Sequence, residues 1–250
     1  GGEANSIAVR IARAYTCKSK IAFCGYHGWH DWYLSANLED GQNLDKQLLS
    51  GLSAVGVPKE LQSTSVPFND GDLESLEKIL AKGDVAAIKM EVMRSREPSL
   101  QYLKEIRRLA DKYKCLLIFD ECTSGFRETF GGLHLKYGVS PDLTILGKTL
   151  GNGYAITAVL GTHPVMRASQ STFISSTFFT ERIGFVAALA ALDEMERLKS
   201  WHAISSKGAR FKDRLQILAD HHQLSVDISG MDALVAFNFK HHNPAETKTY

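Results

Sequence analysis

Two residues that could do chemistry stand where apolar runs of this 250-residue sequence end. Asp120 ends the run LLIFD, and Lys148 follows the run DLTIL and one glycine. Ligands of open α/β sheets bind at the carboxyl ends of the strands, so both side chains are candidates for a site. A carboxylate buried there also needs a cationic or hydrogen-bonding partner. Taken singly, Asp120 could instead cap a loop, and Lys148 could be a surface lysine in a turn.

Two further junctions carry suitable groups. Gly1-Gly2-Glu3 opens a helical pattern, and the free N–H groups of a glycine-led helix N-terminus attract anions. Tyr26-His27-Gly28 follows a short apolar run and offers an aromatic ring. One chemistry uses all four junctions. Pyridoxal phosphate needs an anion site, an aromatic face, an acid for its pyridine nitrogen and a lysine for a Schiff base.

Three other kinds of site fit the sequence poorly. A P-loop needs a glycine five residues before the Gly-Lys pair, and position 142 is Asp. A nicotinamide site needs G-x-G-x-x-G between a strand and a helix, and GKTLGNG has the wrong order. His27 and His30 lie close to Asp31, but the chain has no His-Glu-x-x-His and no cysteine-pair spacing for a metal.

The elements that must position these residues alternate between strands and helices. The predicted strands are 20–25, 85–91, 115–121, 142–148, 155–162 and 233–239, and the predicted helices are 4–15, 70–83, 99–114, 180–198 and 204–222. The runs 115–121, 142–148 and 155–162 are continuously apolar, which is typical of strands buried on both faces. We therefore expect an α/β fold with a mostly parallel central sheet flanked by helices.

The composition of the chain bears on what it can bind and where it is found. There are 29 basic and 28 acidic residues, a net charge of +1, so no electrostatic footprint for nucleic acid or an anionic membrane is expected. No apolar run has the length of a membrane span. The four cysteines include no C-x-x-C, which favours reduced thiols and a cytoplasmic protein. The start without Met and the open end predict an internal piece of a longer chain.

A family resemblance covers residues 1 to about 195. The chain resembles the class III pyridoxal-phosphate-dependent aminotransferases, a group that includes glutamate-1-semialdehyde aminomutase. The motifs that carry the resemblance are GGEAN, GYHGWHD, LLIFDECTSGFR, GGLHLKYGVSPDLTILGKTLGNGY and SSTFFTERIGFVAALAAL. It implies the large domain of a fold type I transferase over 1–222, incomplete at its N-terminus. Residues 223–250 would begin a truncated C-terminal small domain.

The resemblance also implies roles near the start of the chain. Gly1 and Gly2 match the positions that bind the cofactor phosphate through backbone N–H groups. Tyr26 matches the aromatic residue that stacks on the pyridine ring, and His27, in the same motif, is expected among the cofactor-binding residues.

The later motifs imply the reacting groups. Asp120 matches the partner of the ring nitrogen, which it keeps protonated. Lys148 matches the lysine that forms the internal aldimine and then, once released, acts as the base. Thr177 matches a threonine that reaches the cofactor phosphate of the partner subunit, which implies a homodimer with sites at its interface.

The sequence departs from the family pattern at two site positions. Glu91 is carried over as an active-site carboxylate, although Val92 stands where many members have proline. Thr123 stands where others have Gln or Met beside the ring oxygen, and it is expected to contact the cofactor.

The resemblance leads to an expected activity and leaves alternatives. We expect an aminotransferase that moves an amino group between a small-molecule amino donor and an aldehyde or ketone. An aminomutase, which moves the group within one molecule, uses the same residues. A catalytically inactive binding module on this fold is the alternative from another class, and the presence of both Asp120 and Lys148 disfavours it. The substrate stays open.

Overall fold

The computed structural model describes residues 1–47, 49–93 and 96–240. Within them, a six-stranded sheet has the order β2-β1-β3-β4-β5-β6. Its strands are β1 Lys20–Cys24, β2 Ser65–Pro67, β3 Val85–Met90, β4 Leu116–Glu121, β5 Leu143–Leu146 and β6 Ala158–Gly161. Each neighbouring pair runs parallel except β5 and β6, which are antiparallel. The predicted α/β fold with a mostly parallel sheet is confirmed.

Helices cover both faces of this sheet. They are α1 Gly2–Thr16, α2 Asp31–Leu34, α3 Leu73–Leu80, α4 Leu100–Lys112, α5 His134–Tyr137, α6 Lys148–Gly151, α7 His163–Arg167, α8 Arg182–Leu198 and α9 Ser200–His221. Helices α3 and α4 pack on one face, where Leu103, Ile106 and Leu109 of α4 are buried as their spacing predicts. Helix α1 packs on the other face through a stripe of small and branched residues, among them Ala8 and Ile11.

Two predicted helices begin at side-chain caps. Asp72 accepts a hydrogen bond from the backbone N–H of Ser75 at 2.9 Å and starts α3. Ser99 accepts one from the N–H of Tyr102 at 3.1 Å and starts α4. These caps satisfy donors that a helix leaves free in its first turn, and this explains why the helices start where they do.

The expectation that 155–162 forms a strand buried on both faces is wrong. The strand β6 is shorter, Ala158–Gly161, and it is the last strand of the sheet. Leu160 is 52% exposed. A run of apolar residues predicts a strand. It does not show whether that strand lies inside the sheet or at its edge, where its side chains are less covered.

The C-terminal part of the described chain forms a separate hairpin. Strands β7 Val226–Met231 and β8 Leu234–Phe239 pair antiparallel in a two-stranded sheet of their own. The predicted strand 233–239 matches β8, whereas β7 has no counterpart in the prediction. Helix α9 ends at His221, beside the proposed domain boundary at 222, and that boundary stays a prediction. Residues 241–250 of the predicted small domain lie outside the described residues.

No helix among the described residues combines the length and the apolar character that crossing a bilayer requires. No group of three or more histidine, cysteine, aspartate or glutamate side chains among them is arranged to hold a metal ion.

Candidate active site

The turn after β4 ties the two reactive side chains together. Strands β4 and β5 are parallel neighbours, with Asp120 opposite Ile145, so Asp120 and Lys148 meet at the same edge of the sheet. The backbone N–H of Lys148 donates to the carbonyl of Cys122 at 3.0 Å, and its Nζ donates to Oγ1 of Thr123 at 2.8 Å. The N–H of Cys122 donates to Oδ1 of Asp120 at 3.1 Å. One short turn therefore holds both the amine and the carboxylate.

The Asp120 carboxylate is buried between a histidine ring and a lysine amine. Its side chain is 5% exposed. Oδ2 lies 2.8 Å from Nδ1 of His27 and 3.9 Å from Nζ of Lys89. Burial would raise the pKa of Asp120, but the Lys89 charge and the His27 hydrogen bond outweigh it and hold the pKa well below its usual range. The structure thus favours an ionised carboxylate at this strand end.

His27 contacts Asp120 and is buried. It is 1% exposed, and its Nε2 lies 3.0 Å from the carbonyl of Cys24. Burial and the Lys89 charge lower the pKa of His27, while Asp120 opposes them. Since both neighbours are acceptors, we assign the proton of the neutral ring to Nδ1, where it bonds the charged and closer oxygen. The structure connects His27 to the site through Asp120.

Glu91 anchors the loop that carries Tyr26. Its Oε2 accepts a hydrogen bond from the N–H of Tyr26 at 3.2 Å. Gly25, with φ +103°, allows this approach, because a Cβ there would lie 2.7 Å from the same oxygen. The hydroxyl of Tyr33 donates to the Gly25 carbonyl at 3.1 Å, and its ring packs edge-on against Tyr26 at 5.8 Å.

The glycine-led start of α1 lies against the same loop. Gly1 is the N-cap residue, and no side chain caps the helix. Gly28, with φ +100°, packs so closely that a Cβ on it would lie 2.9 Å from Cα of Gly2. The N–H groups of the first turn have no partner within the helix, so this end can bind an anion.

A cavity of about 720 Å³ joins the helix start to the lysine. Its lining includes Gly1, Lys148, Tyr154, Ile156, Phe178 and Phe185. Asp120, Tyr26 and Thr177 are not part of this lining. Thr177 is exposed and begins the 3-10 turn Thr177–Phe179, which borders the cavity through Phe178.

Lys89 is the site residue that sequence reasoning missed. It is the last residue but one of β3 and is fully buried, within reach of Asp120. A lysine inside the otherwise apolar run VAAIKM was the available signal. The prediction treated that run only as a strand and gave its one charged residue no role.

Comparisons with known proteins agree with this geometry. The family model described as Aminotransferase class-III matches residues 1–250. The chain is 36% identical to 3-aminobutyryl-CoA aminotransferase of Cloacimonas acidaminovorans, over 96% of the chain and 56% of that protein. It is 39% identical to glutamate-1-semialdehyde 2,1-aminomutase of Ignicoccus hospitalis, over 79% of the chain and 48% of that protein.

The fold also matches solved structures. The FumI protein of Sphingopyxis sp. MTA144, determined in its PLP internal aldimine form, superposes with a TM-score of 0.83 at 22% identity. The match covers 96% of the chain and 56% of that structure. The chain spans about half the length of the curated relatives it matches. On the family match over its whole length, the chain belongs to the class-III aminotransferases.

Proposed function

We propose that the protein is a pyridoxal 5'-phosphate-dependent aminotransferase that moves an amino group between a small-molecule amino donor and an aldehyde or ketone. The observation that carries the proposal is the turn at Cys122 and Thr123. It holds the Lys148 amine and the ionised Asp120 carboxylate at neighbouring strand ends. The family match and the name of the Cloacimonas relative support the same reaction class.

The groups present fit this cofactor. The start of α1 at Gly1 and Gly2 offers backbone N–H groups for the phosphate, and a Cβ on Gly2 would lie 2.9 Å from the His30 ring. Tyr26 offers a ring face for stacking. Asp120 offers a carboxylate for the pyridine nitrogen.

The chain's own residues would do the following work. When bound, pyridoxal phosphate draws electron density from the substrate carbon that carries the amino group, so that this carbon releases its proton more readily. Lys148 would hold the cofactor covalently. Once the incoming substrate amine has displaced it, its free Nζ would accept and return that proton as a neutral amine. Thr123 orients Nζ through the 2.8 Å hydrogen bond. Asp120 would accept the hydrogen bond of the protonated ring nitrogen. Glu91 would hold the loop of Tyr26, and His27 would hold Asp120, through the hydrogen bonds described above.

An aminomutase is the second candidate. The Ignicoccus relative carries that name, and the reaction uses the same Lys148 and Asp120. An aminotransferase gives the amino group to a second compound, whereas an aminomutase yields an isomer of its substrate. A catalytically inactive binding module is disfavoured, because the chain keeps both reactive residues.

The first experiment locates the covalent bond to the cofactor. The full-length protein is mixed with pyridoxal phosphate, reduced with borohydride and mapped by peptide mass spectrometry. We expect the adduct on Lys148. Lys148→Ala should remove the adduct without changing the melting temperature, whereas Lys104→Ala, at an exposed helix position, should leave it in place. A folded protein with no adduct, or with an adduct on another lysine, would contradict the proposal.

A second measurement separates the two activities. Isotopically labelled nitrogen in the amino donor is followed by mass spectrometry. In an aminotransferase the label appears in a second carbonyl compound. In an aminomutase the label appears in an isomer of the compound that was supplied, and no second carbonyl compound is needed.

We also propose that the protein is a homodimer in which Thr177 reaches the partner's site. The segment from Phe173 to the 3-10 turn that holds Thr177, together with the following helix α8, exposes apolar side chains to solvent. These include Phe173 (84% exposed), Phe178 (62%), Ile183 (62%), Val186 (64%) and Leu189 (62%). An apolar surface of this kind is typical of a protein interface, and it borders the cavity lined by Lys148.

A cytoplasmic location is part of the proposal. All four cysteines lie in the described residues, and none of them forms a disulfide there. Burial raises the pKa of Cys24 to about 12, which keeps that thiol protonated and unreactive. Free thiols of this kind support a reducing compartment.

A further inference from the structure

Lys89 is a buried amine without a hydrogen bond. It lies on β3, between β1 and β4, opposite Phe23 and Ile118 in the ladders. Its side chain has no exposed surface, and among the described residues its Nζ has no hydrogen-bond partner. An ammonium group in such a place needs compensation, since burying an unpaired charge is strongly unfavourable.

The compensation comes from one carboxylate and one ring. Nζ lies 3.9 Å from Oδ2 of Asp120 and 6.0 Å from the centroid of the Trp32 ring. An opposite charge at this distance and an aromatic face both stabilise a cation. The helix packed on this side, α1, contributes only apolar side chains and Asn5 to its buried face.

Other titratable groups around Lys89 are few. Burial lowers the pKa of Lys89, and Asp120, Cys122 after β4 and Glu91 directly after β3 act against that shift. His27, in the loop after β1, bonds the same Asp120 oxygen that Lys89 faces. Asp120 is therefore the one carboxylate, among the described residues, that lies within salt-bridge distance of Lys89.

We infer that Lys89 is a positioning residue: a buried cation that keeps Asp120 ionised and so sets how firmly Asp120 can hold a proton on the group it serves. The inference deepens the proposed function and rests on it for the identity of that group. The charge relation between Lys89, Asp120 and His27 does not depend on the cofactor. It can be measured in the protein alone.

The charge of Lys89 should change the pKa values of its neighbours in a direction that can be tested. A cation disfavours protonation of its neighbours, so removing it should raise the pKa of both Asp120 and His27. An opposite charge at such a distance shifts a carboxyl pKa by about 1–3 units. A purely structural role would not move these two groups in the same direction.

The experiment uses NMR on the full-length protein without added cofactor. Lys89→Met removes the charge with little change of length, and Lys89→Arg keeps the charge. We expect the pKa values of His27 and Asp120 to rise by about one unit or more in Lys89→Met and to stay near the wild-type values in Lys89→Arg. Lys20→Met is the matched control, because it breaks a lysine–aspartate pair at the far end of β1, with Asp84, and should shift neither.

Two outcomes would overturn the inference. One is a folded Lys89→Met protein in which neither pKa moves. The other is a ¹⁵N spectrum of the wild-type protein that shows a neutral Lys89 Nζ at pH 7. This spectrum tests the charge of Lys89 even if Lys89→Met does not fold. A charged Nζ supports it.

The role toward the cofactor needs a second readout. Pyridoxal phosphate is titrated into wild type and Lys89→Met, and into the same pair carrying Asp120→Asn. We expect Lys89→Met to weaken binding several-fold at acid pH and to have little effect in the Asp120→Asn background. An equal loss in both backgrounds would contradict action through Asp120. If no variant binds the cofactor, the proposed function fails, while the charge relation measured by NMR stands.

Discussion

Single residues around Asp120 determine its charge. Its two oxygens are divided between partners: Oδ1 accepts from Cys122, and Oδ2 faces both His27 and Lys89. The pKa of Asp120 is held low against its burial by these contacts. The carboxylate thus stays ionised through the physiological pH range, which is the state that holding a proton on a neighbouring nitrogen requires.

His27 should make stability depend on pH. Burial and the Lys89 charge lower the pKa of His27 from its usual 6.5, so below pH 6.5 the unfolded chain binds a proton that the folded chain does not. We expect the free energy of unfolding to fall as pH drops below 6.5, by up to about 1.4 kcal/mol per pH unit from this group. Urea unfolding at a series of pH values measures it.

His27→Asn is the comparison for this prediction. The Asn side chain cannot titrate, but its amide N–H can still donate to Asp120. Its unfolding free energy should be lower at neutral pH and should change less between pH 7 and pH 5. If the unfolding free energies of wild type and His27→Asn change equally with pH, His27 does not titrate as expected.

At the scale of elements, one buried carboxylate holds the segment between β4 and α5. Glu121 is fully buried and accepts hydrogen bonds from the backbone N–H groups of Leu133 and His134. It also contacts Nδ1 of His134 at 2.5 Å and accepts from the hydroxyl of Ser124 at 3.0 Å. The turn that contains Thr123 begins directly after Glu121, so this network supports the hydrogen bond to Lys148.

Removing the Glu121 carboxylate should cost much of the fold's stability. Glu121→Ala leaves several buried donors unpaired, and we expect a loss of about 3 kcal/mol or more in urea unfolding. Glu121→Gln keeps one acceptor oxygen and should lose less. Glu105→Ala is the control, because it breaks a surface pair with Arg108 and should change little. Equal stabilities of Glu121→Ala and Glu105→Ala would exclude the anchoring role.

At the scale of the whole molecule, a substitution on the apolar face of α8 tests whether the protein forms the proposed homodimer. Val186 is 64% exposed on this helix, and Ile217 is 66% exposed on α9. If the full-length protein is the proposed dimer, we expect Val186→Glu to convert it to a monomer in analytical ultracentrifugation, because a charge buried in an apolar interface is unfavourable. Ile217→Glu should leave the dimer intact. A monomeric wild type, or a dimer that survives Val186→Glu, would argue that another segment covers this face.

Local pattern was enough to predict most of the elements and where two candidate site residues stand. Apolar runs and helical spacing predicted the strands β1, β3, β4 and β5 and the long helices, because side-chain periodicity follows directly from backbone geometry. The same runs placed Asp120 and Lys148 at strand ends. The family motifs then named the chemistry. The edge position of β6 was not predicted, because it depends on which strands pair with it.

What the sequence by itself determined is thus the order of the main elements and the placement of Lys148 and Asp120 at strand ends. Only the tertiary structure showed that Lys89 and His27 converge on one oxygen of Asp120, with His27 93 positions away along the chain. It alone showed Thr123 bonded to Lys148 and Glu91 bonded to the Tyr26 loop. The physical reason is that charge and hydrogen bonding act through space over a few ångströms, whereas sequence patterns report only neighbours along the chain.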